Sequence, residues 1–194
     1  MVDDTNLDQR IGARVRDLRA TRGLTLEVLA ERSGVSRSMI SVIERGESSP
    51  TAALLEKLAA GLGVSLASLF DSPTPNRDPV ARRARQPQWR DPASGYIRRN
   101  VSPAGVASPI QIVEVEFPAG ARVAFDSGAR DMRVHQQVWV LDGAIEVSVG
   151  DERHELRAGD CFAFVLDRPT AFRNRSRKTA RYAVVIVGQP EPHR

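Results

Sequence analysis

The sequence predicts a multi-domain chain of the α plus β type: an all-α domain over residues 1–70, a proline-rich linker over 71–79 and an all-β domain over 80–190. Three observations predict it. Apolar residues recur at helical spacing as far as Phe70 and at a period of two from about Val80 onward. Prolines at positions 73, 75, 79, 87 and 92 forbid a continuous helix between the two regimes. Beyond them, short runs rich in β-branched and aromatic residues are punctuated by Gly120, Gly143, Gly150 and Gly159, as in a sandwich or small barrel.

About five short helices fill the first domain, enough for one compact core. Leu7, Ile11, Val15 and Leu18 form the buried stripe of a first amphipathic helix that ends near Gly23. Thr25 is placed to cap a second helix, Ser36 a third and Thr51 a fourth, the last with Leu54, Leu55, Leu58 and Leu62 on its inner side. Ser65 to Phe70 makes a short fifth.

Residues 26–45, LEVLAERSGVSRSMISVIER, are the most informative. Two helices meeting at about 100° around a tight turn need a small residue at their closest approach, where Ala30 stands. The turn needs a residue that accepts positive φ, and Gly34 supplies it. Leu26, Leu29, Val35, Ile40 and Ile43 close the wedge, which leaves Ser36, Arg37, Ser38, Ser41 and Arg45 on the outer side. A short helix with small hydrogen-bonding side chains facing solvent fits a DNA major groove. The alternative is a plain helical hairpin in an all-α core.

Residues 7–70, with the run GLTLEVLAERSGVSRSMISVIERGESSPTAALLEKLAAGLGVSLASLF, resemble the lambda-repressor-like DNA-binding domain of the xenobiotic-response-element (XRE) family of bacterial regulators. The resemblance implies a pair between an arginine of the first helix and a glutamate late in the recognition helix, here Arg19 and Glu44. Such a pair orients the helices more than it stabilises them. Recognition is expected to run through 36–45, with Ser36 at its start. Arg37 is assigned to guanine O6/N7, Ser38 and Ser41 to base edges, and Met39 and Val42 to thymine methyls. Arg45, the GESSPT loop and Thr25 are assigned to phosphates. One such module reads few base pairs, so a homodimer on double-stranded DNA with a pseudo-palindromic operator is expected.

The formal charge of +4 does not carry this reading, because residues 1–70 hold nine basic and nine acidic side chains. Affinity must come from placed charges and from helix N-termini. Lys57 and Lys178 are the only lysines among 28 basic residues, and GC-rich coding is the plain explanation. No apolar run approaches a membrane span and the start MVDDTNLDQR has no signal-peptide layout, so a soluble, cytoplasmic protein without a membrane partner is expected. The single cysteine, Cys161, excludes an intramolecular disulfide framework and is expected to be a buried small hydrophobe rather than a redox sensor.

In the second domain the strand signals are QIVEVEF (111–117), QQVWVLDG (136–143), AIEVSVG (144–150), CFAFVL (161–166) and RYAVVIVG (181–188). Arg82, Arg83 and Arg85 are expected on the solvated face of an early strand, with contact to DNA phosphates as the alternative. The order FPAGARV, VWVLDGAIEVSVGDE, LRAGDCFAF, RPTAFRN resembles the cupin barrel, a double-stranded β-helix or jelly roll, in the form that follows XRE-type domains as a sensor. Metal-binding cupins carry two histidines and a glutamate in a first motif and a histidine in a second, since a divalent metal needs converging N/O ligands. Registered on Gly143, those positions fall near Ala129 and Asp131 and at Gln136 and Thr170. No metal, other cofactor or catalytic residue is expected. His135 falls on the opposite face and His154 in a hairpin edge, both ordinary positions.

Gln136 and Thr170 would offer hydrogen bonds to a small organic effector, and Val138, Val140 and Phe172 an apolar wall. Arg130, Asp131 and Arg133 would stand near a charged head group. Trp89 and Trp139 are assigned to the core or to a dimer contact. The resulting expectation is a ligand-responsive transcriptional regulator dimerised by its cupin. An antitoxin-like autorepressor and a cupin enzyme fused to a DNA-binding domain are the alternatives.

Overall fold

The computed structural model describes residues 4–70, 78–106, 108–126 and 132–190. Arg130, Asp131 and most of the 71–79 linker lie outside the described residues. The helical domain comprises α1 (Asp4–Thr21), α2 (Leu26–Ser33), α3 (Arg37–Glu44) and α4 (Ala52–Gly61), followed by a 3₁₀ helix, Leu66–Phe70. Three of its helices start as their sequences require. The hydroxyls of Thr25, Ser36 and Thr51 accept the N–H groups of Val28, Met39 and Leu54, each cap contributing about 1 kcal/mol. Leu7, Ile11, Val15, Leu29, Ile40, Ile43, Leu55 and Leu58 form the core between the helices. Gly12 lets α1 lie directly on α3, for a Cβ there would stand 2.1 Å from the Ile43 carbonyl oxygen. Among the described residues no helix is long and apolar enough to cross a membrane.

The second domain contains β1 (Gln88–Arg90), β2 (Ile97–Asn100), β3 (Ile110–Phe117), β4 (Arg122–Phe125), β5 (Met132–Asp142), β6 (Ala144–Val149), β7 (Glu152–Arg157), β8 (Cys161–Val165), β9 (Thr170–Arg173) and β10 (Ala180–Pro190). They form a six-stranded sheet, ordered β1-β2-β3-β10-β5-β8, and a four-stranded sheet, β4-β9-β6-β7. All pairs are antiparallel. Alternation sets the faces. Val113, Val115, Phe117, Val134, Val138, Val140, Tyr182, Val184 and Ile186 of the large sheet are buried, as are Val123, Ile145, Val147, Val149 and Phe172 of the small one.

Two expectations are corrected. Arg83–Arg85 is a 3₁₀ turn, not an early strand, and Arg83 reaches Glu114 of β3 at 3.7 Å. The prolines at 79 and 87 that flank it favour a turn over a strand. Cys161 is exposed, not buried. It pairs with Trp139 on the outer face of the large sheet, whereas Phe162 and Phe164 take the inward parity.

The two domains are docked on each other. Asp91, just past β1 and 2% exposed, accepts the N–H of Ala52 at the start of α4 (2.8 Å). Ser65 donates to Oε1 of Gln111 at 2.6 Å, and Lys57 pairs with Asp126 at 3.0 Å. A ladder of rings continues the contact inward. Phe70 meets Trp89 at 5.6 Å between centroids, Trp89 meets Tyr96 at 5.9 Å, Tyr96 meets Phe117 at 6.1 Å, and Phe117 meets Tyr182 at 6.0 Å. Tyr182 then stacks on Phe172 at 5.8 Å, and Phe172 meets Phe125 at 6.2 Å. The ladder therefore runs from the helical domain across the large sheet to Phe172 and Phe125 of the small one.

Candidate functional site

The wedge between α2 and α3 is built as its residue types dictate. Gly34 takes φ 66° and its N–H closes on the Ala30 carbonyl at 2.9 Å, ending α2 in the left-handed manner. Ser33 donates back to Leu29, and Val35 drops into the core. Arg19 of α1 grips Glu44 at the end of α3 through two parallel bonds, Nε–Oε1 at 2.6 Å and Nη2–Oε2 at 2.8 Å. This bidentate bond raises the Arg19 pKa and fixes the tilt of α3.

With Ile40, Ile43 and Glu44 turned inward, α3 presents the opposite face. Arg37, Ser38 and Met39 are exposed there, Ser41 and Val42 half-buried, and Arg45 exposed at the C-cap. Thr25 and Ser36 stand at the N-termini of α2 and α3, where backbone N–H groups also point outward. All eight residues assigned to DNA thus lie on or beside one surface.

Two acidic neighbours that sequence reasoning missed share it. Glu27 holds Arg37 at 2.9 Å, and Glu47 holds Arg45 at 2.7 Å while Ser41 accepts from the same guanidinium at 2.6 Å. The Arg45–Glu47 bond raises the arginine pKa and lowers that of the carboxyl. An i, i+10 spacing between Glu27 and Arg37 gives no sequence signal, because the turn at Gly34 brings them together.

The second site is a cavity between the two sheets at the end that faces the helical domain. Val115, Val123, Phe125, Val134, Leu166, Phe172, Val184 and Ile186 make its apolar wall. Its polar groups are Gln136, Tyr96, Tyr182, Arg98, Glu56 and Ser65. Its volume is about 50 Å³. Burial pushes the Tyr96 phenol up, against the opposing charge of Arg98, and burial also pushes Tyr182 up, so both remain neutral donors.

Of the residues assigned to a ligand, Gln136 and Phe172 are on this wall. Val138 and Val140 are fully buried in the same sheet but do not line the cavity. The buried Thr170 donates its hydroxyl to the Arg168 carbonyl at 3.0 Å, and Arg133 is exposed.

One carboxylate, one guanidinium and two neutral phenols are not the converging donor set that a divalent cation requires. Among the described residues no three His, Cys, Asp or Glu side chains come together to hold one. His135 is exposed on the outer face, and His154 stacks on Phe162 with ring centroids 4.2 Å apart.

Comparison with known proteins agrees with this two-part architecture. Residues 15–69 match the helix-turn-helix family and residues 114–187 the cupin domain family. The chain is similar to the HTH-type transcriptional regulator SutR of Escherichia coli K12, 30% identical over 181 residues that cover 93% of this chain and 96% of that protein. It is also similar to the HTH-type transcriptional regulator PuuR of the same strain, 25% identical over 166 residues, 85% of this chain and 88% of that one. Among solved structures, a helix-turn-helix family transcriptional regulator from Vibrio cholerae superposes with a TM-score of 0.77 at 26% identity, covering 98% of this chain and all of its own. The chain belongs to the HTH-type transcriptional regulators that join an XRE-type helix-turn-helix domain to a cupin domain.

Proposed function

We propose that this regulator binds a pseudo-palindromic operator as a homodimer, reads bases through α3, and answers to a small organic effector held in its barrel without a metal and without catalysis. Its place would be the cytoplasm, with the DNA. The observation that carries the reading is the face of α3: a helix fixed on its other side by Ile40, Ile43 and the Arg19–Glu44 pair, with Arg37, Ser38 and Met39 left to solvent. Arg37 is the residue assigned to guanine, and release from Glu27 accompanies that contact.

Dimerisation through the cupin is supported by the outer face of the large sheet. There Ile110, Ile112 and Trp139 are 45%, 36% and 50% exposed, and Val185, Val187 and Cys161 fall in the same rows. These apolar side chains are interleaved with His135, Gln137 and Glu114, and exposed apolar groups gathered on one sheet face favour a protein partner. The test is selection of bound duplexes from a random pool by the full-length chain at physiological salt. Enrichment of one palindrome with half-sites about a helical turn apart is expected. A pool that remains random would sink the reading.

A further inference from the structure

We propose that the effector cavity is built by both domains, the DNA-reading domain supplying its lid, and that it takes a small molecule of zero net charge whose binding holds the two domains together. This rests on the reading that the barrel holds an organic effector.

Glu56 of α4, Ser65 and Leu66 close the cavity from the helical side. They are not incidental rim residues, since their exposures are 4%, 7% and 7%. Leu66 begins the 3₁₀ helix whose last residue, Phe70, packs on Trp89, with the Arg98 guanidinium 5.2 Å above its ring. Tyr96 and Tyr182 belong both to the cavity wall and to the ring ladder that ends at Phe70. An occupant therefore touches the lid and the rings that carry it. Those lid contacts exist only while the domains are docked, so a fitting ligand favours the docked arrangement by the difference.

The charge of the site limits its ligand. Glu56 and Arg98 are both more than nine-tenths buried, and together they sum to zero. A ligand with one net charge would leave that charge unbalanced in a low-dielectric space. A molecule without net charge, uncharged or zwitterionic, leaves the balance intact. Tyr96 and Tyr182 are about 95% buried and both line the cavity. With Gln136 they offer neutral donors and acceptors. The free volume is small, so a ligand of a few heavy atoms fits only as the lid yields around it.

The test uses the full-length chain and probes that share a three-carbon skeleton: β-alanine (zwitterion), propionamide (uncharged), propionate (anion) and n-propylammonium (cation), at matched millimolar concentration. Amide hydrogen exchange at residues 65–70 and the melting temperature are read together. β-Alanine or propionamide should slow exchange at 65–70 about tenfold and raise the melting temperature, and the better of the two identifies paired charges or neutral hydrogen bonds as the polar recognition. Glu56→Gln removes the one negative charge of the cavity lining and should move the preference to propionate. Preference for propionate or n-propylammonium in the wild type would overturn the charge argument. Stabilisation by a neutral probe with no slowing at 65–70 would overturn the lid and leave the barrel reading standing. A flat response to every probe in the wild type and in the roomier Leu66→Ala would overturn both. A control independent of ligand is Val184→Trp, which overfills the cavity from the barrel side. It should speed exchange at 65–70 while the strands stay protected, and unchanged exchange there would overturn the shared cavity.

Discussion

Replacing Asp91 by alanine isolates the bond that crosses the domain boundary. Its carboxylate receives three donors: the Ala52 N–H at 2.8 Å, the Ser94 N–H at 2.8 Å and the Ser94 hydroxyl at 2.6 Å. A hydrogen bond to a charged group contributes about 1.5–3 kcal/mol, and an anion at a helix N-terminus adds about 0.3–2 kcal/mol. Ser94 is half-buried, so water recovers much of its share. Ala52 is 1% exposed, and its orphaned N–H alone costs about 1–3 kcal/mol. The desolvation cost of Asp91 itself disappears with the side chain and offsets part of the loss. The net expectation for Asp91→Ala is about 3–5 kcal/mol, or about 6–20 °C in melting temperature for a chain of this size. Asp91→Asn keeps one oxygen for Ala52 and sets an amide against Ser94, so its cost is about 1–2 kcal/mol. Scanning calorimetry checks both figures. Because the Ala52 bond joins the two domains, the alanine variant should also split one transition into two. A cost for Asp91→Ala below about 1 kcal/mol, or a single unshifted transition, would refute the claim that docking stabilises the fold.

Other predictions test other parts of the molecule. Arg37→Ala should cost about 1–3 kcal/mol at the selected operator and relax one base position, whereas Arg45→Ala should weaken all sequences alike; competition binding with mutated duplexes separates the two. Gly12→Ala should lower stability by about 3 kcal/mol in urea unfolding, since its Cβ would meet the Ile43 carbonyl oxygen at 2.1 Å and that backbone atom cannot yield. The two tyrosines of the chain are both buried with raised pKa. Stability should therefore be intact below the ordinary phenol value near pH 10 and fall above it by about 2.7 kcal/mol per pH unit, with phenolate absorbance appearing only as the chain unfolds; gradual titration near pH 10 in folded protein would contradict their burial. Trp139→Glu should shift the sedimenting species from dimer to monomer, and a persisting dimer would place the interface elsewhere.

The recognition wedge was legible because its constraints are local: caps at Thr25 and Ser36, a positive-φ turn at Gly34, and an inward stripe through Ile40 and Ile43. Even the Arg19–Glu44 pair could be expected, from a family resemblance. Period-two alternation correctly put Gln136 on the inner face and His135 on the outer. It could not place Cys161, because CFAFV is apolar at every position and so lacks the alternation that would report a facing. Nor could any pattern show that Glu56 or Leu66 closes the barrel. Their role depends on how two separately folded units dock, through contacts such as Ser65 with Gln111 that lie far apart in the chain. The same holds for Asp91, whose short sequence context, RDPASG, signals a turn and not a cap on a distant helix.

In the dimer proposed above, docking makes the distance between the two α3 helices a property of the whole assembly. A freely tethered reading head could find its half-site whatever the barrel did. A head held by Asp91, Ser65 and the Phe70–Trp89 contact inherits every change at that seam. A globular unit of some seventy residues is about 28 Å across, so a tilt of about 7° about the seam moves its far side by about one base-pair step, 3.4 Å. Half-sites are spaced by the helical repeat, and a displacement of that size takes both recognition helices out of register at once. The proposed effector, by tightening the contact of Leu66 with the cavity, would need to shift the lid by only about an ångström at the hinge. Packed interfaces tend to have discrete arrangements rather than a continuum, which turns such a small displacement into a choice between two spacings.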